Sequence, residues 1–171
     1  MPISCEKLID YCQKALMACK VSEADARTTA EVLVSADMRG VHSHGVIRMI
    51  GYVECLLSGG VRYDAVPKIV TEGPSNALVD ADQGLGIPAS VFATELARKK
   101  ALESGVAVVN VFNSHHHGAC GYYSQSLTES GLIGLAMSTG DVIMAASGSA
   151  SRSRSCTRSS SRSTGTTKQQ W

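Results

Sequence analysis

The sequence predicts an α/β fold in which an N-terminal helical segment precedes a partial α/β core and a disordered C-terminal tail. Apolar residues recur at intervals of three and four over about the first 60 positions, which is typical of helices. Short apolar runs then alternate with helical patterns, as in α/β domains. Ser, Thr, Arg and Gly make up almost all of 147–167, a composition that cannot form a core. The predicted boundaries are 1–66, 67–146 and 147–171.

The N-terminal segment contains signals for three helices. Ser4 is placed to cap the first helix, and Ser22 to cap the second, with Asp25 as its capping partner. Gly40 is suited to end the second helix. The third helix is predicted to begin near Ser43.

The central segment changes to strand-like patterns. Val106 to Phe112 is a continuous apolar run of the kind found in buried strands. The predicted order is strand, strand, helix, strand, helix, strand, which indicates an α/β domain. The strand candidates are 68–72, 77–80, 106–112 and 132–138, and the helix candidates are 88–103 and 118–130.

Charge and cysteine content exclude several classes of protein. The formal net charge of +1 does not favour nucleic-acid binding, although five of the 16 basic residues stand in the last 20 positions and every acid lies at or before Asp141. A signal peptide and a membrane span are not expected, because no long apolar run is present. The six cysteines show no CxxC pair and predict reduced thiols in a cytoplasmic protein.

Polar residues that could bind an acid cluster around position 45. On a helix beginning at Ser43, the side chains of His44, Arg48 and Tyr52 would share one face. The Arg fork can hold a carboxylate with two hydrogen bonds, and a histidine can exchange a proton near neutral pH. A solvated polar face with an ordinary capping serine explains the same spacing.

A second polar cluster, Asn113-Ser114-His115-His116-His117-Gly118, follows the buried strand candidate. Loops at this end of a strand commonly bind ligands in α/β proteins. A metal site that includes Cys120 is the alternative, but consecutive histidines point in different directions, and we predict no metal. The dinucleotide fingerprint GxGxxG is absent, and Gly84-Leu85-Gly86 is its nearest approximation.

Three segments together resemble the malate/L-lactate dehydrogenase family, which includes ureidoglycolate and sulfolactate dehydrogenases. They are the runs 37–48, 79–86 and 113–118, the last followed by Gly121-Tyr122-Tyr123, in the family's order and spacing. The likeness covers roughly 4–145, the N-terminal part of such a protein. It implies a non-Rossmann fold that binds NAD or NADP, a small 2-oxo or 2-hydroxy acid as substrate, and a homodimer when complete.

The resemblance also implies roles for individual residues. His116 matches the proton-exchanging histidine, which as imidazolium protonates the substrate oxygen during hydride transfer. Arg48 matches the arginine that binds the substrate carboxylate. Ser43, Tyr52 and Asp141 match residues that contact the substrate. His44 matches a catalytic residue near the substrate and the nicotinamide, and Gly118 matches a position near the cofactor. The family often has an aromatic residue where this chain has His117.

The break in composition near residue 147 departs from the family pattern. We interpret it as a frameshifted, mis-spliced or truncated product, and we expect little or no dehydrogenase activity from the chain as written. The alternative is a non-enzymatic protein in which Ser151-Arg152-Ser153-Arg154-Ser155 serves as an RS-like interaction segment whose charge phosphorylation would reverse.

Overall fold

A computed structural model describes residues 3–139. Asp141 and the Ser/Arg-rich tail lie outside the described residues. The helices are α1 (Cys5–Ala18), α2 (Glu23–Met38), α3 (Met49–Leu57), α4 (Gly86–Ser104) and α5 (Cys120–Thr128), and the strands are β1 (Lys68–Glu72), β2 (Asn76–Asp80) and β3 (Val108–Phe112).

The capping signals in the first 40 residues act as the sequence predicts. Ser4 Oγ accepts a hydrogen bond from the backbone N–H of Lys7, and Ser22 Oγ accepts one from that of Asp25. Gly40 follows α2 with a φ of +75°, a left-handed conformation that glycine adopts without strain. Local chemistry therefore sets the starts of α1 and α2 and the end of α2.

The third helix begins later than predicted. Two 3₁₀ turns, His42–His44 and Val46–Arg48, precede α3, which starts at Met49. Gly45 separates the turns with an extended backbone (φ −92°, ψ −153°), so a continuous helix cannot run through it. His44, Arg48 and Tyr52 consequently do not lie along one helix face, and the prediction of that arrangement was wrong.

The described strands form one sheet in the order β1-β2-β3. β1 pairs antiparallel with β2, and β2 pairs parallel with β3. α4 connects the parallel pair and packs on it, which buries a small core of Ala and Val side chains. A second core joins α1, α2 and α3 to the start of α4 through Leu85 and Ile87.

The strand predicted at 132–138 is absent. In the structure 132–139 is irregular, and Ile133 is fully exposed while Leu135 is mostly so. An apolar run becomes a strand only where a neighbouring strand completes its backbone hydrogen bonds. No strand of residues 3–139 pairs with this segment.

The helices of the described part are too short or too polar to cross a bilayer.

Candidate functional site

The segment between α2 and α3 carries the first predicted cluster. Arg48 Nε donates a hydrogen bond of 2.6 Å to the carbonyl oxygen of Ser43, which folds the arginine back over the first 3₁₀ turn. Ser43 Oγ lies 3.0 Å from His44 Nδ1. Within residues 3–139 the terminal nitrogens of Arg48 make no hydrogen bond. The N–H donors of these two terminal nitrogens are thus available for a ligand carboxylate.

The loop of 113–119 carries the second cluster and lies directly against the backbone of α4. Asn113 adopts a left-handed φ of +55°, and its Nδ2 donates to Asp80 Oδ1 at 2.9 Å, which ties the loop to the end of β2. A Cβ on Gly86 would fall 2.6 Å from the carbonyl oxygen of His116. Gly86 thus allows close packing under this loop, a role that the sequence analysis did not assign when it found no dinucleotide fingerprint here.

Tyr52 and Gly118 hold the ring of His116. Tyr52 is buried, and its Oη lies 2.7 Å from His116 Nδ1 and 3.1 Å from the His116 carbonyl oxygen. The backbone N–H of Gly118 donates to the same Nδ1 at 3.3 Å. Because a backbone N–H can only donate, Nδ1 is the acceptor in the neutral ring and the ring proton lies on Nε2. Nε2 has no hydrogen-bond partner among the described residues.

Burial and nearby positive groups keep His116 neutral. Burial, followed by the charges of Arg48 and His44, lowers the pKa of His116 to about 4. The His44 and His116 rings stack with centroids 5.5 Å apart, so a charge on one disfavours a charge on the other. Burial also raises the pKa of Tyr52, so its hydroxyl stays protonated. The site thus contains a neutral imidazole next to a cationic guanidinium.

His117 fills the position behind the His116 ring. It is buried and stacks on His116 with centroids 6.2 Å apart, and its other neighbour is the Tyr123 ring at 5.7 Å. The Tyr123 hydroxyl donates to the His117 carbonyl oxygen. Burial, then the charge of His116, lowers the pKa of His117 to about 4. His117 therefore packs as an aromatic ring.

Arg48 and His116 line the same small cavity of about 200 Å³. Tyr52, His115 and Cys55 also contribute to its wall; the sequence singled out the first two, while nothing local marks Cys55. The volume lies below the range of about 300–1,000 Å³ typical of drug-sized ligands. The cavity suits an acid of a few heavy atoms and excludes a whole dinucleotide.

His44 lines a second cavity, of about 380 Å³, on the side facing α5. Its wall is mostly apolar and includes Ala119, Cys120 and Tyr122. A flat, partly apolar ring system fits such a wall. The Gly118 N–H is directed at His116, and this glycine does not line the cavity.

The three adjacent histidines do not assemble a metal site. Within residues 3–139, no group of three or more His, Cys, Asp or Glu side chains is arranged to hold an ion. Of the predicted site residues, the structure brings Arg48, Tyr52 and His116 together, with the His44 ring stacked on the His116 ring.

Comparisons with known proteins identify a family for this arrangement. The family model described as malate/L-lactate dehydrogenase matches residues 3–155. A malate dehydrogenase from Pyrococcus horikoshii is 40% identical over 147 residues, which are 86% of this chain and 41% of that protein. An NAD(+) ureidoglycolate dehydrogenase from Escherichia coli is 37% identical over 150 residues, 88% of this chain and 43% of that protein.

Solved structures agree with the sequence matches. The structure of malate dehydrogenase from Pyrococcus horikoshii superimposes with a TM-score of 0.74 at 40% identity, and the match covers 77% of this chain and 38% of that one. The mixed α/β fold is therefore shared. The chain spans about two fifths of the length of the curated relatives it matches.

Proposed function

This chain belongs to the malate/L-lactate dehydrogenase family, and we propose that it supplies the acid-binding and proton-transfer groups of an NAD(P)-dependent 2-hydroxy acid dehydrogenase. The observation that carries this proposal is the shared cavity of Arg48 and His116, in which an anion-binding group and a proton-exchanging group line a space of small-acid size. The names of the relatives, malate and ureidoglycolate dehydrogenase, support a 2-hydroxy acid as the substrate class.

Arg48 would bind the substrate carboxylate. Its Nε is already bonded to Ser43, which restrains the guanidinium, so less side-chain entropy would be lost when its terminal nitrogens bind a ligand. Such a clamp fixes which face of the acid is presented for reaction. Ser43 and His44 lie in the turn next to it, in contact with each other, and neither lines this cavity.

His116 would hold the mobile proton at Nε2. In the oxidation direction the neutral ring is the form required, since it must accept a proton from the substrate hydroxyl. In the reduction direction the imidazolium must give that proton to the substrate oxygen. A carboxylate on Arg48 offsets one of the charges that lower the pKa of His116, so substrate binding itself favours ring protonation.

Tyr52 would act through His116 and not on the substrate. Its hydroxyl is buried and bonded to the ring and carbonyl of that histidine. The resemblance placed Tyr52 among substrate-binding residues; the geometry favours a positioning role.

The described residues fit part of a nicotinamide cofactor. The mostly apolar cavity beside His44 would accept a nicotinamide ring next to the stack of His44 on His116. When bound, NAD or NADP supplies or accepts the hydride, so the reduction consumes one hydride and the proton of His116 and yields the 2-hydroxy acid. His44 is the described residue we assign to that contact. The roles of Asp141 and Gly118 and the homodimer stay predictions of the family resemblance, and the cytoplasmic location stays a prediction from the cysteine content.

Titration of the purified 171-residue chain tests the acid site. We expect pyruvate or oxaloacetate to bind weakly by calorimetry, and Arg48→Gln to abolish that binding. The matched control is Arg27→Gln, since Arg27 pairs with acids on α1 and α2 away from the cavity. Equal binding by the wild type and Arg48→Gln, or no binding by the wild type, would contradict the proposal.

A further inference from the structure

Asp37 joins the end of α2 to the segment that carries the acid-binding residues. Its Oδ2 accepts a hydrogen bond of 2.7 Å from the backbone N–H of Val46, nine positions later. Its Oδ1 lies 2.9 Å from His42 Nδ1. The carboxylate is only 24% exposed, although it stands near the end of a helix. It thus contacts both 3₁₀ turns at once.

The carboxylate takes the place of a missing cap. Gly45 is the N-cap residue of the second turn and has no side chain to accept the first free N–H groups. A Cβ on Gly45 would collide with the Asp37 carboxylate, so the acid occupies the space next to this backbone. A negative charge at this end of the turn, which leads directly into α3, is also favoured by the helix dipole.

The capped segment determines where three predicted site residues lie. Ser43 and His44 are in the first turn and Arg48 ends the second. The contact between this segment and the loop of 113–119 includes the stack of His44 on His116. Any shift of the two turns therefore changes the separation of the guanidinium from the imidazole.

We propose that Asp37 is a positioning residue. By capping the backbone N–H of Val46 across the break at Gly45, it keeps Arg48 and His44 at their positions relative to His116. This proposal rests on the proposed function, because the relative positions of these residues matter if they bind and protonate an acid. Asp37 itself would touch neither substrate nor cofactor, and its effect would appear in acid binding and in the geometry of the segment.

Two variants of Asp37 and one control test this role in the chain as it exists. Asp37→Ala removes the acceptor; Asp37→Asn keeps an oxygen that can still accept from Val46 and removes the charge. Glu54→Ala, an exposed acid on α3, is the control. Amide hydrogen exchange of Val46 should become about tenfold faster in Asp37→Ala, the order of effect expected for a lost cap. Asp37→Asn should retain most of the protection, and Glu54→Ala all of it.

Acid binding separates a positioning role from a merely structural one. The dissociation constant for pyruvate should rise at least about tenfold in Asp37→Ala, with circular dichroism unchanged and partial rescue in Asp37→Asn, because misplacement of a binding group by about 1 Å is costly. An unchanged dissociation constant, or unchanged Val46 exchange, would overturn the proposal. If Asp37→Ala fails to fold, Val46 exchange and the pyruvate dissociation constant are measured on Asp37→Asn instead. A two- to threefold change in each is expected, and no change would overturn the proposal.

A failure of the proposed function is distinguishable from a failure of this proposal. If the wild-type chain binds no pyruvate, the acid site is refuted, and the nuclear Overhauser contact between the His44 and His116 rings becomes the deciding reading. Its loss in Asp37→Ala with retention in Glu54→Ala supports the positioning role, and its retention in both overturns it.

Discussion

Replacing Tyr52 with Phe removes the hydroxyl that holds His116 while leaving the buried ring in place. Two acceptors lie within reach of that hydroxyl, Nδ1 at 2.7 Å and the His116 carbonyl oxygen at 3.1 Å. The hydroxyl has one proton, so it makes one of these bonds as a donor at a time. Gly118 still donates to Nδ1 after the change, so the ring is not left wholly unpartnered.

The expected cost of the Tyr52→Phe change is that of one buried hydrogen bond. A typical bond contributes about 0.5–1.5 kcal/mol, and an unsatisfied buried acceptor raises the cost toward about 3 kcal/mol. With Gly118 as a second donor, we expect about 1 kcal/mol, or a fall of about 2–4 °C in Tm for a chain of this size. In a complete dehydrogenase of this family the looser ring should lower kcat more than it raises KM.

Urea unfolding and ¹⁵N spectra of the histidine rings measure these effects. The midpoint should fall with an unchanged slope, and the His116 Nδ1 resonance should move while Nε2 keeps its proton. Tyr11→Phe is the matched control, because Tyr11 is exposed on α1. Equal stability of the two variants, together with an unmoved Nδ1 resonance, would refute the argument that Tyr52 holds the ring.

Three further predictions concern the loop and its electrostatics. Gly86→Ala should destabilise the chain by about 2 kcal/mol or more, because the new methyl group meets backbone carbonyl oxygens. Gly51→Ala, which has open space around it in α3, should instead stabilise the chain by up to about 1 kcal/mol. Urea unfolding midpoints measure both effects, and equal shifts in the two variants would contradict the packing argument. Arg48→Gln should raise the pKa of His116 from about 4 toward its ordinary value, because it removes one of the nearby charges that lower it, and an NMR pH titration that shows no rise would exclude that cause. The pKa values of His116 and His117 in the folded state are depressed from 6.5 to about 4, so the stability that the two rings contribute is fully present above pH 6.5 and is lost as the pH falls toward 4. The loss is at most about 1.4 kcal/mol per pH unit for each ring before screening. Urea unfolding at pH 7, 6 and 5 should show a smaller loss of stability in His117→Phe than in the wild type, and an identical loss would count against the depressed pKa of His117.

The wrong predictions have a common physical origin. The 3.6-residue spacing around position 45 favoured a helix, but Gly45 breaks it with an extended backbone and the Asp37 carboxylate lies against it. The apolar run at 132–138 favoured a strand, but strand formation depends on a partner that pattern alone does not supply. Both outcomes depend on the rest of the chain: a contact from Asp37 is present at Gly45, and a pairing strand for 132–138 is absent from the described residues.

The sequence by itself determined the features that depend on neighbouring residues. The caps at Ser4 and Ser22, the left-handed Gly40, the mixed α/β class and the family signature are all encoded within short stretches, and the structure and the comparisons confirm them. Only the tertiary structure decided how these pieces meet at the site. Tyr52 and His116 are 64 positions apart, and no local periodicity specifies a hydrogen bond over that separation. That contact exists because the helical core and the sheet share the start of α4, where Gly86 lets the histidine loop approach the backbone.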